Sequence, residues 1–542
     1  MLKYLQLADI QTLPACQNIK INKQLKTMDL RLKSKQIAIA LVSGLTIMTS
    51  CQQNEPKTQV EQKQEKVQLG MTTTVPEGIA IPNEVETRLG TLHFRDGFPD
   101  KPTVEKLYDN LDFQRAVQSY LLALPAVNMM GLREGLTKLG PPNFTIPTFE
   151  TMMDSRSLFL TANANTAYTW IWIDLHDGPL VAEVPPMTLG MIDDFWFRYV
   201  TDIGIVGPDK GKGGKYLLLP PGYKGEIPVG YMVVNVPTYE SILVWRNFPV
   251  NGDIAPAIDN LKKMTKIYPL NQAKNPSANT FVNVSEKDFS TIAPADYTFW
   301  EYLNVVVQNE PVESLDPVTL GFFASIGIEK GKPFAPDERM KKILTEAAFV
   351  GDATARTLTY QSRIPEAFYY PNSTWRQWLG GYKFESQPGV QYLDASAFFY
   401  FYATGVTPAM EAKMVGQGSQ YAVGIVDSKG NPLDGGKNYR LHVLPNVPAK
   451  DFWSVILYDN QTRSMLQTDQ KFPMVTSQNK NLMINEDGSV DVYFGPKAPA
   501  GKENNWIQTI PGKGWNTLFR LYGPLEPWFD KTWKLSEIDE IQ

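Results

Sequence analysis

A series of short apolar and aromatic stretches, each bounded by glycine or proline, most constrains how this chain can fold. The series extends from Ser157 to Val250 and contains YTWIWIDL, LVAEVP, FWFRYV, KYLLLPPGY, YMVVNVP and ESILVWRNF. Stretches rich in β-branched and aromatic residues, separated by turn residues, are typical of β-strands. Short strands that follow one another at regular spacing predict a β-sandwich for this part of the chain.

Helical patterns lie on both sides of this zone. Apolar residues recur at helical spacing over residues 102–139, where the prolines that follow predict the end of a helix. The stretches YTFWEYLNVVVQ and DERMKKILTEAAFVGDATARTLTYQSR predict a mainly helical zone over residues 254–415. Strands return after that zone, and SVDVYFG places Val490, Val492 and Phe494 on one face of a strand. The pattern predicts an α+β protein with several domains.

Cys51 follows a sequence that predicts processing. The basic residues Arg31, Lys33 and Lys35 precede an apolar run that ends at Met48. This run has about a dozen residues, whereas a membrane-spanning helix needs about 20. A basic segment followed by a short apolar run is typical of a signal peptide. The end of the run, Met-Thr-Ser-Cys, resembles the lipobox of bacterial lipoproteins, which implies that Cys51 is lipidated and becomes the N-terminus.

The signal predicts how the N-terminal segments are organised. Met28 is the predicted start, so residues 1–27 are an untranslated upstream segment, residues 28–50 the signal peptide and residues 51–75 a flexible tether poor in large apolar residues. The protein would be attached to a membrane through its lipid, as an outer-membrane or periplasm-facing lipoprotein of the bacterial cell envelope. The alternative is a cytosolic protein with a chance hydrophobic segment.

Composition excludes several classes of function. The net charge of −5, without a long basic block, argues against nucleic-acid binding. The three histidines, His93, His176 and His442, are dispersed, which argues against a catalytic zinc site, and we predict no metal and no cofactor. The nucleophile-elbow pattern Gly-x-Ser-x-Gly is missing from the predicted mature sequence, which argues against an α/β-hydrolase. The sequence assigns no oligomeric state.

Two long blocks resemble a known bacterial family. The block from VAEVPPMTLGMIDDFWFRYV to YMVVNVPT resembles domain of unknown function 1254, and the blocks YAVGIVDSKGNPLDGGKNYRLHVLPNVPAKDFWSVILYD and NEDGSVDVYFGPKAPAGKENNWIQTIPGKGWNTLFRLYGP resemble domain of unknown function 1214. The resemblance implies a helical segment with an immunoglobulin-like β-sandwich over residues 76–253, a helical domain over 254–415 and a jelly-roll-like β-sandwich over 416–542. It implies no reaction.

The stretch TANANTAYTWIWIDL contains the first candidate site. It resembles the family's Pro-Asn-x-Asp-Thr-x-Tyr motif at Asn163, Thr166 and Tyr168, but Asn165 stands where the family usually has aspartate. An amide cannot act as a general base at neutral pH, although it can orient a ligand by hydrogen bonds. Alternatively, these side chains only satisfy backbone groups at the start of a strand.

In the strand that follows, tryptophans and isoleucines alternate. Tyr168, Trp170 and Trp172 share one face, and Ile171 and Ile173 share the other. One face must fill the sandwich core. The aromatic face either packs against a neighbouring domain or forms a stacking platform for an apolar or sugar-like ligand.

The C-terminal zone supplies a second set of candidates. Arg440 and His442 alternate on one predicted strand, in NYRLHVLPN, and Arg520 and Tyr522 alternate on another, in LFRLYGP. Their convergence would form a site for an anionic or carbonyl ligand, with His442 as acid or base and the arginines stabilising charge. The alternative is a hydrogen-bonded core histidine with structural arginines. We further predict that His442 meets Asn163 and Tyr168 at a pocket between the two β domains.

The stretch GPDKGKGGKY, residues 207–216, does not have the spacing of a Walker A phosphate-binding loop, and we interpret it as a hairpin loop. Two functions therefore remain for the chain. One is an envelope lipoprotein that binds a small molecule or another envelope protein. The other is a hydrolase that acts on a small molecule in a cleft between the two β domains.

Overall fold

The computed structural model describes residues 73–250 and 252–542. This part of the chain has an α+β fold in which two β-rich regions flank a helical region. The predicted upstream segment, the signal peptide, Cys51 and nearly all of the tether lie outside the described residues. No helix in the described ranges combines the length and the apolar character needed to cross a bilayer.

A small antiparallel sheet and one long helix come first. The elements are β1 (Glu84–Thr87), β2 (Gly90–Arg95), β3 (Phe98–Pro99) and α1 (Lys101–Thr137), and the sheet order is β1-β2-β3. Asp100 caps α1, because its carboxylate accepts a hydrogen bond of 2.9 Å from the backbone nitrogen of Thr103. The helix predicted for residues 102–139 is confirmed.

Two glycines let another backbone segment cross α1 closely. A Cβ atom at Gly131 would lie 2.6 Å from the backbone oxygen of Thr291, and one at Gly135 would lie 2.5 Å from that of Ser290. Such distances are too short for non-bonded carbon and oxygen atoms, so only glycine fits at either position without a shift of the backbone. The C-terminal half of α1 is therefore packed tightly against the backbone at Ser290 and Thr291.

The first β domain consists mainly of two packed sheets. Its elements are β4 (Thr145–Thr148), β5 (Ser157–Leu158), β6 (Ala167–Asp174), β7 (Leu180–Val184), β8 (Leu189–Asp194), β9 (Tyr199–Gly204), β10 (Gly214–Leu219), β11 (Met232–Asn235), β12 (Glu240–Asn247), α2 (Ala255–Met264), β13 (Lys266–Pro269), β14 (Thr280–Asn283) and β15 (Phe289–Ser290). The sheet orders are β11-β10-β7-β13 and β14-β4-β6-β12-β8-β9, with β15 paired to β5. The domain was predicted to end at residue 253, but β13 and β14 join its two sheets, so it continues beyond that residue.

Helices dominate the region after β15, whereas the mainly helical zone was predicted to begin at residue 254. The elements are α3 (Thr298–Asn309), α4 (Pro317–Ser325), α5 (Glu338–Tyr360), β16 (Glu385–Gln387), β17 (Val390–Gln391), α6 (Leu393–Tyr402) and α7 (Pro408–Glu411). Helices α3, α4, α5 and α6 all contact α1. The helical region is therefore built around a helix that precedes the first β domain in sequence.

The C-terminal region is a second pair of packed sheets. Its elements are β18 (Ser419–Gly424), β19 (Asn438–Val443), β20 (Ala449–Asp459), β21 (Met474–Thr476), β22 (Val490–Gly495), β23 (Trp506–Gln508), β24 (Trp515–Pro524), α8 (Glu526–Phe529) and β25 (Ile538–Ile541). The sheet orders are β18-β24-β20-β21 and β23-β22-β19-β25. Leu441 and Val492 from one sheet meet Val455 and Phe519 from the other in a common core.

The two faces of β6 have different surroundings. Ile171 and Ile173 lie in the core between the sheets of the first β domain. Trp170 and Trp172 belong to a different cluster, which includes residues of α1, α3 and α6. The alternation predicted for this strand is confirmed, and the tryptophan face packs against other regions, as one of the two interpretations expected.

The two faces of β24, in the C-terminal sandwich, also have different surroundings. Phe519 and Leu521 lie in the core of the C-terminal sandwich, whereas Leu518 belongs to the cluster that contains Trp170. Side chains at even positions of β24 thus point away from their own sandwich. The outward faces of β6 and β24 meet, and this is where the candidate site lies.

The glycine- and lysine-rich stretch connects β9 to β10. These two strands belong to different sheets, so the connection is not a hairpin loop as predicted but a crossing from one sheet to the other. The carboxylate of Asp209 organises it by accepting hydrogen bonds from the backbone nitrogens of Gly204, at 2.7 Å, and Gly213, at 2.9 Å, and from the hydroxyl of Tyr216. The Asp209 carboxylate therefore accepts its hydrogen bonds from within this connection and the strands that it joins.

Candidate functional site

A cavity lies between the first β domain and the C-terminal sandwich. Strands β6, β8 and β12 form one wall, β18 and β24 form another, and the connection from α6 to α7 contributes a third. The space unfilled by protein is about 880 Å³, including solvent at the mouth. Apolar and aromatic side chains dominate the lining, among them Met153, Phe159, Trp170, Met191, Val244, Trp378, Tyr421 and Leu518. Concave, mostly apolar spaces between domains are the usual setting of small-molecule sites.

Arg520 brings a buried cation to this cavity. Its side chain projects from the outward face of β24 and the residue is 5% exposed. Nη2 donates hydrogen bonds to the backbone oxygens of Thr161, at 2.5 Å, and Ala162, at 3.3 Å, and to the hydroxyl of Tyr458, at 2.7 Å. Arg520 therefore joins the C-terminal sandwich to the turn that precedes β6, and its Nε is left without a partner.

Arg246 is the second cation at the cavity. It lies on β12, half-buried, with its guanidinium carbon 5.8 Å from the ring centroid of Tyr168. The groups that favour the charged forms of Arg246 and Arg520 against burial are tyrosine hydroxyls, from Tyr168, Tyr421, Tyr458 and Tyr522. Neither arginine has a carboxylate ion-pair partner among residues 73–250 and 252–542. The cavity wall contains two guanidinium groups and one carboxyl group, that of Asp202, so its cationic groups outnumber its acidic ones.

The positive charges of both arginines act on Tyr168. The side-chain amide of Asn163 donates to its hydroxyl at 3.3 Å. Burial acts to raise the pKa of Tyr168, but the positive charges of Arg246 and Arg520 and the hydrogen bonds from Asn163 and Thr166 outweigh it and lower the pKa below its ordinary value. The surroundings of Tyr168 therefore favour its phenolate form more than water does.

The backbone at Thr161 is strained where it lines the cavity. Its φ is 42°, in the left-handed region that a β-branched residue rarely adopts. Its carbonyl accepts from Arg520, and its backbone nitrogen donates to the carbonyl oxygen of Arg463 at 2.8 Å. Strain of this kind persists only where surrounding contacts hold it, and it is concentrated at functional sites.

Several polar atoms at the cavity lack a hydrogen-bond partner. Buried atoms of lining residues in this condition are Trp170 Nε1, Trp378 Nε1, Thr404 Oγ1 and Arg520 Nε. Three of the four are nitrogen donors. Buried polar groups are nearly always paired, so a concentration of unpaired donors around one space indicates a ligand that supplies acceptor oxygens.

Asp202, a carboxylic acid whose pKa is raised, lines the same cavity. Asp202 accepts hydrogen bonds from the hydroxyls of Thr407, at 2.5 Å, and Tyr199, at 3.1 Å. Burial raises the pKa of Asp202 more strongly than these bonds lower it. The cavity thus contains a phenol with a lowered pKa and a carboxylic acid with a raised one.

The structure gathers some of the predicted residues. Asn163, Tyr168 and Arg520 line the cavity. Thr166 lies behind them, within 3.4 Å of the Asn163 amide nitrogen. Tyr522 is 3% exposed, is stacked on Phe452, and has a hydroxyl without a partner.

The polar turn is organised by one side chain. Asn163 Oδ1 accepts a hydrogen bond of 3.0 Å from the backbone nitrogen of Asn165, two residues along. Asn165 is buried and its own Oδ1 has no partner, but it is not part of the cavity wall. The turn therefore satisfies a backbone group, as the structural interpretation expected, and also directs the Asn163 amide to Tyr168.

Arg440 and His442 lie elsewhere. Both are on β19, in the other sheet of the C-terminal sandwich, and both approach Asp491: His442 Nδ1 lies 2.8 Å from its Oδ1 and Arg440 Nε lies 4.0 Å from it. The predicted convergence of these two residues with Arg520 and Tyr522 does not hold. Nor does His442 meet Asn163 and Tyr168, because the sandwich core separates β19 from β24.

Sequence reasoning missed Arg246, Tyr421 and Trp378. Arg246 was visible in ESILVWRNF, where it alternates with Val244 and therefore shares the face that looks away from the sandwich core. Tyr421 was visible in the strand that opens the C-terminal region. Trp378 lies in an irregular segment, and no local pattern signals its role.

One group of side chains has the composition of a metal site, but one of its carboxylates already accepts hydrogen bonds from other residues. The ligand atoms of Asp174, His176 and Glu240 lie within 4.8 Å of one another. However, Glu240 accepts from Arg133 Nε at 2.7 Å and from the indole nitrogen of Trp172. An arginine directed at the shared oxygen opposes a second cation, so this group does not fit a metal ion.

Comparison with known families places the two walls formed by strands in matched segments. Residues 144–269 match the family described as Protein of unknown function (DUF1254), and residues 418–526 match Protein of unknown function (DUF1214). The resemblance seen in the sequence is thereby confirmed. Tyr168 and Arg246 lie in the first matched segment and Arg520 lies in the second. No curated protein matches the chain.

Among solved structures, the VPA0106 protein from Vibrio parahaemolyticus is similar over 80% of this chain and 100% of its own, with a TM-score of 0.51 and 19% identity. This likeness supports the fold alone. An uncharacterized protein from Burkholderia cenocepacia covers 80% of this chain and 95% of its own, but its TM-score of 0.33, at 13% identity, is too low to support an argument.

Proposed function

We propose that this chain is a lipid-anchored protein of the bacterial cell envelope that binds a small organic anion, such as a carboxylate, between its two β domains. One observation carries the proposal of an anion. Arg246 and Arg520 border one apolar cavity without a carboxylate partner among the described residues. A buried cation without a counter-ion is costly, and a bound anion would remove that cost.

The rest of the lining supports an organic anion over an inorganic one. Guanidinium groups hold carboxylates by paired hydrogen bonds, and the unpartnered indole nitrogens of Trp170 and Trp378 offer further donors. The remaining wall is aromatic and aliphatic, which suits an apolar body attached to the charged group. Inorganic phosphate would leave that wall in contact with water.

Isothermal titration calorimetry on the full chain tests the proposal. Benzoate and benzamide have nearly the same shape but differ in charge, so benzoate should bind and benzamide should bind at least tenfold more weakly, since hydrogen bonds to charged groups contribute about 1.5–3 kcal/mol. Equal affinities for the two compounds, or no binding of any small carboxylate, would contradict the proposal.

The cellular location rests on the sequence before the described residues. The apolar run and the lipobox-like end at Cys51 support export and lipid attachment. Glutamine follows Cys51 where aspartate would favour retention in the inner membrane of some bacteria, and this supports an outer-membrane or periplasm-facing position. The anion would then come from the envelope or from outside the cell.

A second candidate function is hydrolysis of a small molecule in the same cavity. Tyr168 and Asp202 support it, because their environments move their pKa values in opposite directions. The Tyr168 phenolate would remove a proton from the attacking water, and protonated Asp202 would donate one to the leaving group. A panel of small esters should then be cleaved, and Tyr168→Phe should lower kcat with little change in KM. No turnover by the wild type excludes this alternative.

The finer classification of the two β regions is also part of the proposal. An immunoglobulin-like assignment for the first and a jelly-roll-like assignment for the second are supported by the family resemblance and by the packing of two sheets in each.

A further inference from the structure

A second, larger depression adjoins the cavity. We call it the outer groove. Its space is about 1990 Å³ including open solvent, more than twice that of the cavity. The two spaces share the wall residues Leu189, Val206, Arg246, Gly418 and Ser419. The two spaces therefore adjoin at Arg246.

The outer groove is lined mainly by apolar groups. The prolines, aliphatic and aromatic side chains among them are Pro185, Pro186, Met187, Leu189, Ile205, Val206, Phe248, Pro249 and Val250. Met187 is 67% exposed, Ile205 is 41% exposed and Val250 is 50% exposed. Single exposed apolar residues are common on protein surfaces, but three along one groove form a patch of the kind that marks a binding surface.

The charges along the groove are unevenly placed. Arg246 stands where the groove meets the cavity, and Arg520 lies only in the cavity wall. The other charged residues of the groove, Lys450 and Asp451, are neighbours of opposite sign. Two guanidinium groups therefore lie at the inner end, where Asp202 is the one acidic residue of the cavity wall, and the rest of the groove offers an anionic ligand mainly apolar contact.

We infer that the ligand is an amphiphile, a straight-chain carboxylate whose charged head is held at Arg246 and Arg520 and whose hydrocarbon chain lies along the outer groove. This inference rests on the proposed function and specifies its ligand class. The cationic inner end selects the head group, and the continuous apolar wall contacts the chain.

Affinity as a function of chain length tests the inference. The full chain carrying Cys51→Ser, purified without detergent, would be titrated with straight-chain carboxylates from butanoate to dodecanoate, each below its micelle concentration. Burial of one methylene contributes about 0.8 kcal/mol, so affinity should rise about fourfold for each added methylene in contact with the groove. The alcohols of equal length should bind at least tenfold more weakly than the acids.

A double variant removes the apolar wall without touching the head-group site. Met187→Asn with Ile205→Asn replaces two exposed side chains, and asparagine tolerates the left-handed φ of 59° at position 187. The gain in affinity with chain length should fall by at least half, while the affinity for butanoate stays unchanged. Ile484→Asn is the matched control, because Ile484 is 64% exposed and lies outside the cavity and the groove.

The outcomes separate this inference from the proposed function. If short and long carboxylates bind with equal affinity, or if the double variant keeps the wild-type dependence on chain length, the amphiphile is excluded while anion binding stands. If no carboxylate of any length binds, both fail. If alcohols bind as tightly as acids, the groove binds chains but the arginines do not select the head group, and the inference is again overturned.

Discussion

Arg246 and Tyr168 occupy directly opposed positions on the antiparallel strands β12 and β6, with the guanidinium carbon 5.8 Å from the centroid of the phenol ring. The pairing is fixed by strand register, so the cation stands beside the phenol whether or not a ligand is bound. The pKa of Tyr168 and the affinity for an anion should therefore depend on each other.

The ionisation of Tyr168 can be followed by the near-ultraviolet absorbance of phenolate. We expect one tyrosine to titrate below the ordinary pH range of the others, because Arg246 and Arg520 lower the pKa of Tyr168 despite its burial. Tyr168→Phe should remove this step and Tyr223→Phe, a change in an exposed loop, should leave it. Benzoate should move the step to higher pH. An unchanged titration in Tyr168→Phe would contradict the assignment.

Removal of either arginine should weaken anion binding. Arg246→Gln and Arg520→Gln each delete a charge but keep a polar side chain, and each should lower the affinity for benzoate about 10- to 100-fold, from the loss of about 1.5–3 kcal/mol. Arg440→Gln is the matched control, since Arg440 lies on β19 away from the cavity. Arg520→Gln should also lower the thermal midpoint, because it frees the carbonyls of Thr161 and Ala162.

The carboxyl of Glu411 should make stability depend on pH. Burial raises its pKa to about 8 from 4.5, and its Oε1 has no hydrogen-bond partner. The folded state then holds this proton more tightly than the unfolded state, so the contribution of this carboxyl group to stability is greatest below about pH 4.5 and falls by about 1.4 kcal/mol for each pH unit up to about 8. Chemical denaturation of Glu411→Gln across this range should lack that component, whereas the exposed Glu338→Gln should keep the wild-type slope.

Substitution of glycine by alanine should have opposite effects on stability at two helical positions. A Cβ at Gly135 of α1 would lie 2.5 Å from the backbone oxygen of Ser290, whereas one at Gly321 of α4 would meet nothing within 4 Å. Gly135→Ala should destabilise the protein by about 1–3 kcal/mol, because the backbone must move. Gly321→Ala should stabilise it by up to about 1 kcal/mol through helix propensity. Equal effects of the two substitutions, measured by urea denaturation, would contradict the close crossing at α1.

Lipid attachment can be tested in cells that express the full chain. An azide-bearing palmitate analogue should label the wild type but not Cys51→Ser, and fractionation should move the variant from the membrane to the soluble envelope fraction. Stable anchoring needs more than one acyl chain, as a bacterial lipoprotein carries. Equal labelling of both proteins would exclude Cys51 as the lipidated residue.

Local sequence patterns were sufficient to predict individual strands and helices of the fold. The alternation at Val490, Val492 and Phe494 is reproduced by three buried side chains on β22, and the helical spacing over residues 102–139 corresponds to α1. These predictions succeed because the period of apolar residues depends only on the geometry of one strand or one helix.

The site could be predicted only in part, because it depends on which faces of the strands pack against each other. Alternation correctly grouped Arg520 with Tyr522 and Arg440 with His442, but it cannot tell that β24 and β19 lie in different sheets of one sandwich. Arg246 was overlooked for a related reason. At the end of an apolar strand, an arginine that faces solvent and one that faces a second domain have the same sequence signal.

The hydrogen bond from Arg520 to the carbonyl oxygen of Thr161 joins residues 359 positions apart in the chain. A contact between residues so far apart in sequence stabilises the fold only after the entropy of closing the intervening loop has been offset. A chain emerging from the ribosome or crossing a membrane would present Tyr168 and Arg246 long before Arg520 exists to face them. Anion binding is consequently a property of the completed fold, and a labelled carboxylate would report the moment at which the last sandwich closes on the first.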